Sequence, residues 1–203
     1  LKKRRIVLGV MGILLLGAWL ARVIWFNSTY PDVTRMTYSM GEMVALEKDV
    51  IDYYSMEGYE VQVENAKIWE YEDFVEYYQV SEEIRNEVEV LDPMGAPERV
   101  YDIEITLKNV GSASGTADGV AFMDWRVQTN CMFSNFNEAL YLGVNPEVSN
   151  AAIALRDNSE MGFRLVYDLR EMHFTPSEWE DMGAVSLWLS VTAYPNKKMI
   201  ILQ

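Results

Sequence analysis

Residues 100–109 read VYDIEITLKN: Tyr101, Ile103, Ile105 and Leu107 fall on one side of an extended chain, and Asp102, Glu104, Thr106 and Lys108 on the other. Side chains alternate between faces along a strand, so this period of two predicts a β-strand with one buried and one solvated face. Residues 58–69, GYEVQVENAKIW, repeat the pattern, with Tyr59, Val61 and Val63 alternating with Glu60, Gln62 and Glu64. Further apolar runs predict strands at Gly119–Thr129, Leu140–Gly143, Ala151–Arg156, Met161–Leu169, Val185–Tyr194 and Met199–Leu202. Turn-forming residues separate them at Gly111–Gly119, Asp157-Asn158-Ser159 and Pro195-Asn196. Short strands at this density predict a mainly β fold, an antiparallel sandwich or barrel.

One or two short helices are expected among the strands. Thr175-Pro176-Ser177-Glu178 has the spacing of a capping box with proline at the first helical position, for a helix ending near Gly183. Asp73–Gln79 is the second candidate, and Pro93–Pro97 reads as a loop.

The amino-terminal end is of another kind. Lys2, Lys3, Arg4 and Arg5 precede an apolar run from Ile6 to Phe26, interrupted by Arg22 alone. As a helix that run is about 31 Å long, close to the hydrocarbon thickness of a bilayer. Trp19, Trp25, Phe26 and Tyr30 gather at its far end, where aromatic rings favour the headgroup layer. Basic residues on the near side only place the amino terminus in the cytoplasm and the rest outside. A cleaved signal needs small residues at its cleavage site, and Trp19 and Leu16 stand where cleavage after Ala21 or Ala18 would require them. The expected organisation is a basic stub and anchor at 1–26, a juxtamembrane segment at 27–41, and an extracytoplasmic sandwich at 42–203.

From Asn27 onward lie all 31 acidic residues and 12 of the 17 basic ones, a formal charge of −19. That balance excludes nucleic-acid binding through phosphates. Glu70, Glu72, Asp73 and Glu76 crowd together, yet no calcium-loop spacing appears. The nearest fragment, Asp157–Gly162, departs from that spacing, so no metal or cofactor site is expected. With one cysteine the chain can form no internal disulfide.

Cys131 and His173 are the only thiol and imidazole. A membrane-anchored β domain carrying one of each invites comparison with sortases, but here His173 follows Cys131, the reverse of their order. The expectation is a small apolar Cys131 and a helix-flanking His173 rather than a hydrolase or transpeptidase pair. Gly111–Gly115 fails as a nucleophile elbow because Ala113 holds the central position. Trp69, Tyr71, Phe74, Tyr77 and Tyr78 fit either a ligand groove or a core.

Three pieces together, Gly58–Val63 leading to Ala66-Lys67-Ile68, Leu107–Gly111, and Leu187–Leu202, resemble a group of uncharacterised membrane-anchored domains of Gram-positive bacteria. Those are similar in turn to telomeric-repeat-binding-factor-like and immunoprotective immunoglobulin-like sandwiches. The resemblance implies a sandwich at the cell surface and no catalytic residues. The function expected is non-enzymatic binding of a protein or peptide, through a sheet edge or the loops at Gly111–Gly119 and Asn130–Asn137. The rival reading is an accessory subunit of a membrane transporter or peptide-resistance system, with Gly9, Gly12 and Gly17 packing against partner helices.

Overall fold

A computed structural model describes residues 2–29, 32–51, 54–91, 93–111 and 119–202, with the backbone alone for Lys2, Lys3, Arg5–Leu8, Tyr54 and Leu91. Tyr30, the loop residues 112–118 with their elbow-like Ala113, and the side chains of Lys2, Lys3, Arg5 and Ile6 lie outside the described residues.

Two units make up the chain, residues 1–33 and 34–203. The first holds one helix, α1 (Lys2–Thr29). Its stretch Gly9–Thr29 is long and apolar enough to cross a membrane, and none of it is buried. Trp19, Trp25 and Phe26 are exposed upon it.

The second unit opens with β1 (Thr34–Tyr38), β2 (Met43–Ala45), β3 (Val50–Ile51), β4 (Tyr54–Ser55) and β5 (Tyr59–Glu70). Helices α2 (Tyr71–Tyr77) and α3 (Glu82–Leu91) follow, then β6 (Arg99–Asn109), β7 (Val120–Ala121), β8 (Arg126–Gln128) and β9 (Phe133–Ser134). Beyond them come α4 (Glu138–Val144), β10 (Ala152–Ile153), β11 (Ser159–Leu169), α5 (Pro176–Glu180), β12 (Trp188–Ser190) and β13 (Asn196–Ile201). One sheet has the order β1-β13-β12-β8-β9 and a second β11-β6-β5-β2, with β10-β7 and β3-β4 as two-stranded ribbons.

Both large sheets turn apolar side chains into one core. Val61, Val63, Ile103, Ile105, Leu107, Phe163 and Leu165 from one meet Val127, Leu189 and Ile200 from the other. Phe122 stands among them, its ring 5.2 Å from Trp125, 5.9 Å from Tyr141 and 5.1 Å from Phe163. The fold is a β-sandwich, as the alternation of residues 100–109 and 58–69 predicts. A smaller core forms on the outer face of the second sheet, where α2, α3 and α4 cover Val100 and Val166 with Phe74, Val75, Val88 and Leu140. That layer explains why Val100 to Ile103 and Leu165 to Leu169 are buried continuously instead of alternately.

The structure corrects several expectations. Leu140–Gly143 is not a strand but part of α4, because the Asn137 side chain accepts from the backbone N–H of Leu140 and starts a helix there. Helix α3 fills the acidic stretch in which no element was expected. Its Ile84 packs so closely that a Cβ on Gly143 of α4 would lie 3.1 Å away. The expected run Gly119–Thr129 is broken by a 3₁₀ turn at Phe122–Asp124 that sends Phe122 into the core. The sandwich unit carries four short α-helices among the described residues, more than one or two. One pairing is parallel, β1 with β13, whereas every other pairing between described strands is antiparallel. Because β1 belongs to that sheet, the sandwich begins at Thr34 and not at 42, within the stretch expected to be juxtamembrane.

The capping box at α5 forms as read. Thr175 accepts from the Glu178 N–H, and Glu178 accepts from the Thr175 N–H at 2.8 Å. The Thr175 hydroxyl, which donates to Glu178 Oε2 at 2.7 Å, and then the Thr175 N–H hold the Glu178 carboxyl below its ordinary value.

Candidate functional site

Strand β5 carries a bulge between Val63 and Asn65. An extra residue in a strand reverses which side chains face which way. Before it Tyr59, Val61 and Val63 point into the sandwich, and after it Ala66 and Ile68 do. Lys67 and Trp69 therefore stand on the outer face, beside Asp102, Glu104 and Arg164, in a register that sets Lys67 opposite Asp102 and Glu104 opposite Arg164.

Asp102 organises this face. Its carboxylate, with 3% of the side chain exposed, accepts from Tyr78 Oη at 2.7 Å, Trp69 Nε1 at 3.3 Å and Arg164 Nη1 at 3.2 Å. Arg164 donates its other arm to Glu104 at 3.1 Å. Asn145, which closes α4, grips the Arg164 backbone, accepting from its N–H and donating to its carbonyl, both at 2.9 Å. Burial and the bond to Asp102 push the Tyr78 hydroxyl up, so it stays protonated and donates. Burial alone would lower the Arg164 guanidinium, but Asp102, Tyr78 and Glu104 outweigh it and raise it.

Above Asp102 the rings form a rigid stack from core to solvent. Phe74, fully buried, lies 4.8 Å from Tyr78, and Tyr77 lies 4.9 Å from both Tyr78 and Trp69. Lys67 Nζ sits 3.1 Å from the centre of the Trp69 ring. Tyr77 is 65% exposed. The five aromatics thus divide: Tyr71 and Phe74 fill the smaller core, and Trp69, Tyr77 and Tyr78 form its outer rim.

A second polar centre lies at the other end of the unit. Lys198 on β13 is in phase with core residue Ile200, and its side chain is 1% exposed. Its Nζ donates to the Ala45 carbonyl and to Glu47 Oε2, both at 2.6 Å, and lies 2.7 Å from Oδ2 of Asp49. The Asp49 contact is not aligned as a hydrogen bond, and among the described residues Oδ2 has no hydrogen-bond partner. Asp49 Oδ1 accepts from the backbone N–H of Asn196 at 3.3 Å and from its side-chain amide at 2.9 Å. Burial would lower the Lys198 amine, but the two carboxylates outweigh it and raise it. Glu47, at a left-handed φ of 52°, and Asp49 both border an open cleft of about 570 Å³ that also touches Tyr59, Gly111 and Asn196.

Cys131 is exposed in a shallow pocket with Thr129, Ser177, Glu178 and Trp188, and His173 is not among its walls. Among the described residues no three His, Cys, Asp or Glu side chains converge as metal ligands would. Glu70 pairs instead with Arg99, and Glu72 with Arg85. Sequence reading missed Asp49, Glu47, Asp102, Arg164 and Lys198. For Lys198 a signal existed: NKKMII places a lysine at the core phase of a strand, but beside Pro195 it reads as a turn.

No curated protein matches the chain. Among solved structures it is similar to an uncharacterised β-sandwich protein from Clostridium difficile 630, 14% identical, with a TM-score of 0.44 over 85% of this chain and 97% of that one. Residues 35–198, most of the chain, match the model of a domain of unknown function, DUF5028, and the protein belongs to that family.

Proposed function

We propose that the chain is a membrane-tethered, extracytoplasmic, non-enzymatic interaction domain that takes a protein or peptide partner on the face around Trp69, Tyr77 and Tyr78. The observation that carries this reading is an exposed Tyr77 ring held in place by neighbours that are themselves hydrogen-bonded to a buried Asp102. Aromatic side chains fixed before binding lose little entropy on contact, which is why they anchor interfaces. Glu72, Asp73 and Glu76 are exposed nearby on α2, so the partner presents cationic groups around an apolar anchor.

Tethering rests on α1, whose apolar stretch follows Lys2, Lys3, Arg4 and Arg5, and the positive-inside rule sets the sandwich outside the cytoplasm. The same reading includes an immunoglobulin-like kinship and a Gram-positive cell surface, supported by the resemblance at residues 58–68, 107–111 and 187–202.

Cross-linking and affinity purification from native membranes test it, comparing the intact chain, a Tyr77→Ala chain and the anchor alone. Recovery of one partner by the intact chain, reduced at least tenfold by Tyr77→Ala, is the expected outcome. Equal recovery by the anchor alone would sink the proposal.

A further inference from the structure

We propose that Lys198 and Asp49 become joined by an intramolecular amide bond, formed in the folded domain with Glu47 carrying protons. Three features of the second polar centre support this independently of the aromatic face. First, the amine and the carboxylate are both almost wholly buried, at 1% and 4% side-chain exposure, and are pressed together at 2.7 Å without hydrogen-bond alignment. Reacting groups held near 3 Å need no further search for one another. Second, Asn196 aims its backbone N–H and its side-chain amide at Asp49 Oδ1. Two such donors stabilise the negative charge that develops on a carbonyl oxygen under attack. Third, a second carboxylate, Glu47, touches the same Nζ at 2.6 Å yet is 65% exposed and borders the open cleft, giving protons and water a route out.

The chemistry balances within the centre. At rest the two carboxylates keep the Lys198 amine charged, and transfer of one proton from Nζ to Asp49 Oδ2 converts the pair at constant net charge into the neutral amine and acid, the reactive form, whose cost burial reduces. The neutral amine attacks Asp49 Cγ, forming the C–N bond and placing charge on Oδ1 beneath the Asn196 donors. Glu47 takes the second proton from Nζ and delivers it to the departing Oδ2. The C–O bond breaks and one water leaves, with no oxidant, reductant or co-substrate. Two buried charges are replaced by one neutral amide, whose formation removes their desolvation cost.

The test is mass spectrometry of the full chain, purified in detergent and denatured. The expected result is a chain lighter by one water, whose protease digest contains a branched peptide joining the Asp49 segment to the Lys198 segment. Lys198→Arg, Asp49→Ala and Glu47→Gln chains should retain the full mass of their sequences and give only linear peptides. A wild-type chain at full sequence mass, or a water loss mapped to residues other than 49 and 198, overturns the proposal. Because the wild-type digest decides the matter, a variant that failed to fold would not obscure the answer.

Discussion

Asp102 shows how much one side chain can organise. It accepts from Trp69 of β5, Tyr78 just past the end of α2 and Arg164 of β11, so its loss strands three donors at once. Arg164 keeps Glu104 and is about a third exposed, which lets water recover part of the deficit. Asp102→Ala should therefore cost about 3 kcal/mol, read as a lower urea midpoint, and Asp102→Asn should cost less because an amide oxygen still accepts. In the sequence Asp102 is one of several polar residues on the outward phase of a strand, and that phase was legible. What the alternation could not carry is that a helical layer returns to cover that face, since Phe74 and Leu140 lie far from it along the chain. The face that Trp69 takes was not legible for a local reason: a bulge leaves no fixed mark in ENAKIW, yet it moves every later side chain to the opposite face.

At the scale of elements, the long strands β5, β6 and β11 were readable because each repeats its period over many residues. Helix α4 was not. Its apolar run Ala139-Leu140-Tyr141-Leu142 fits strand and helix equally, and the deciding residue is the polar Asn137 just before it. Besides capping Leu140, the Asn137 side-chain amide donates to Asp168 at 2.8 Å, so it joins α4 to β11 as well. Asn137→Ala is expected to lower stability by about 1–2 kcal/mol, at the upper end for a lost cap, and Asn137→Asp should recover most of the capping share. Thermal unfolding by circular dichroism would show both. The acidic helix α3 escaped notice because its apolar side, Ile84 and Val88, is only as wide as the contact it makes with α4 and its neighbours. The capping box at Thr175 was legible because its two side chains and its proline act within four residues.

For the whole molecule, the division at Val33 and Thr34 makes a direct prediction about where the sandwich can be cut. A chain beginning at Thr34 keeps β1 and should unfold at nearly the temperature of the full-length protein. One beginning at Glu42, the boundary suggested by composition, loses the ladder that pairs Thr34 with Asn196 through Tyr38 with Ile200, and should melt well below it. Differential scanning calorimetry of the two truncations distinguishes them, and equal transitions would show that β1 is dispensable. The parallel pairing of β1 with β13 has a mechanical consequence too. A force that draws Thr34 back along the axis of β1 would load the rungs of that ladder in shear, so that they must yield together. Were the strand attached crosswise to the pull, the rungs would unzip singly at lower force. The first strand of the sandwich is thus fastened in the geometry that best resists extraction along its own length.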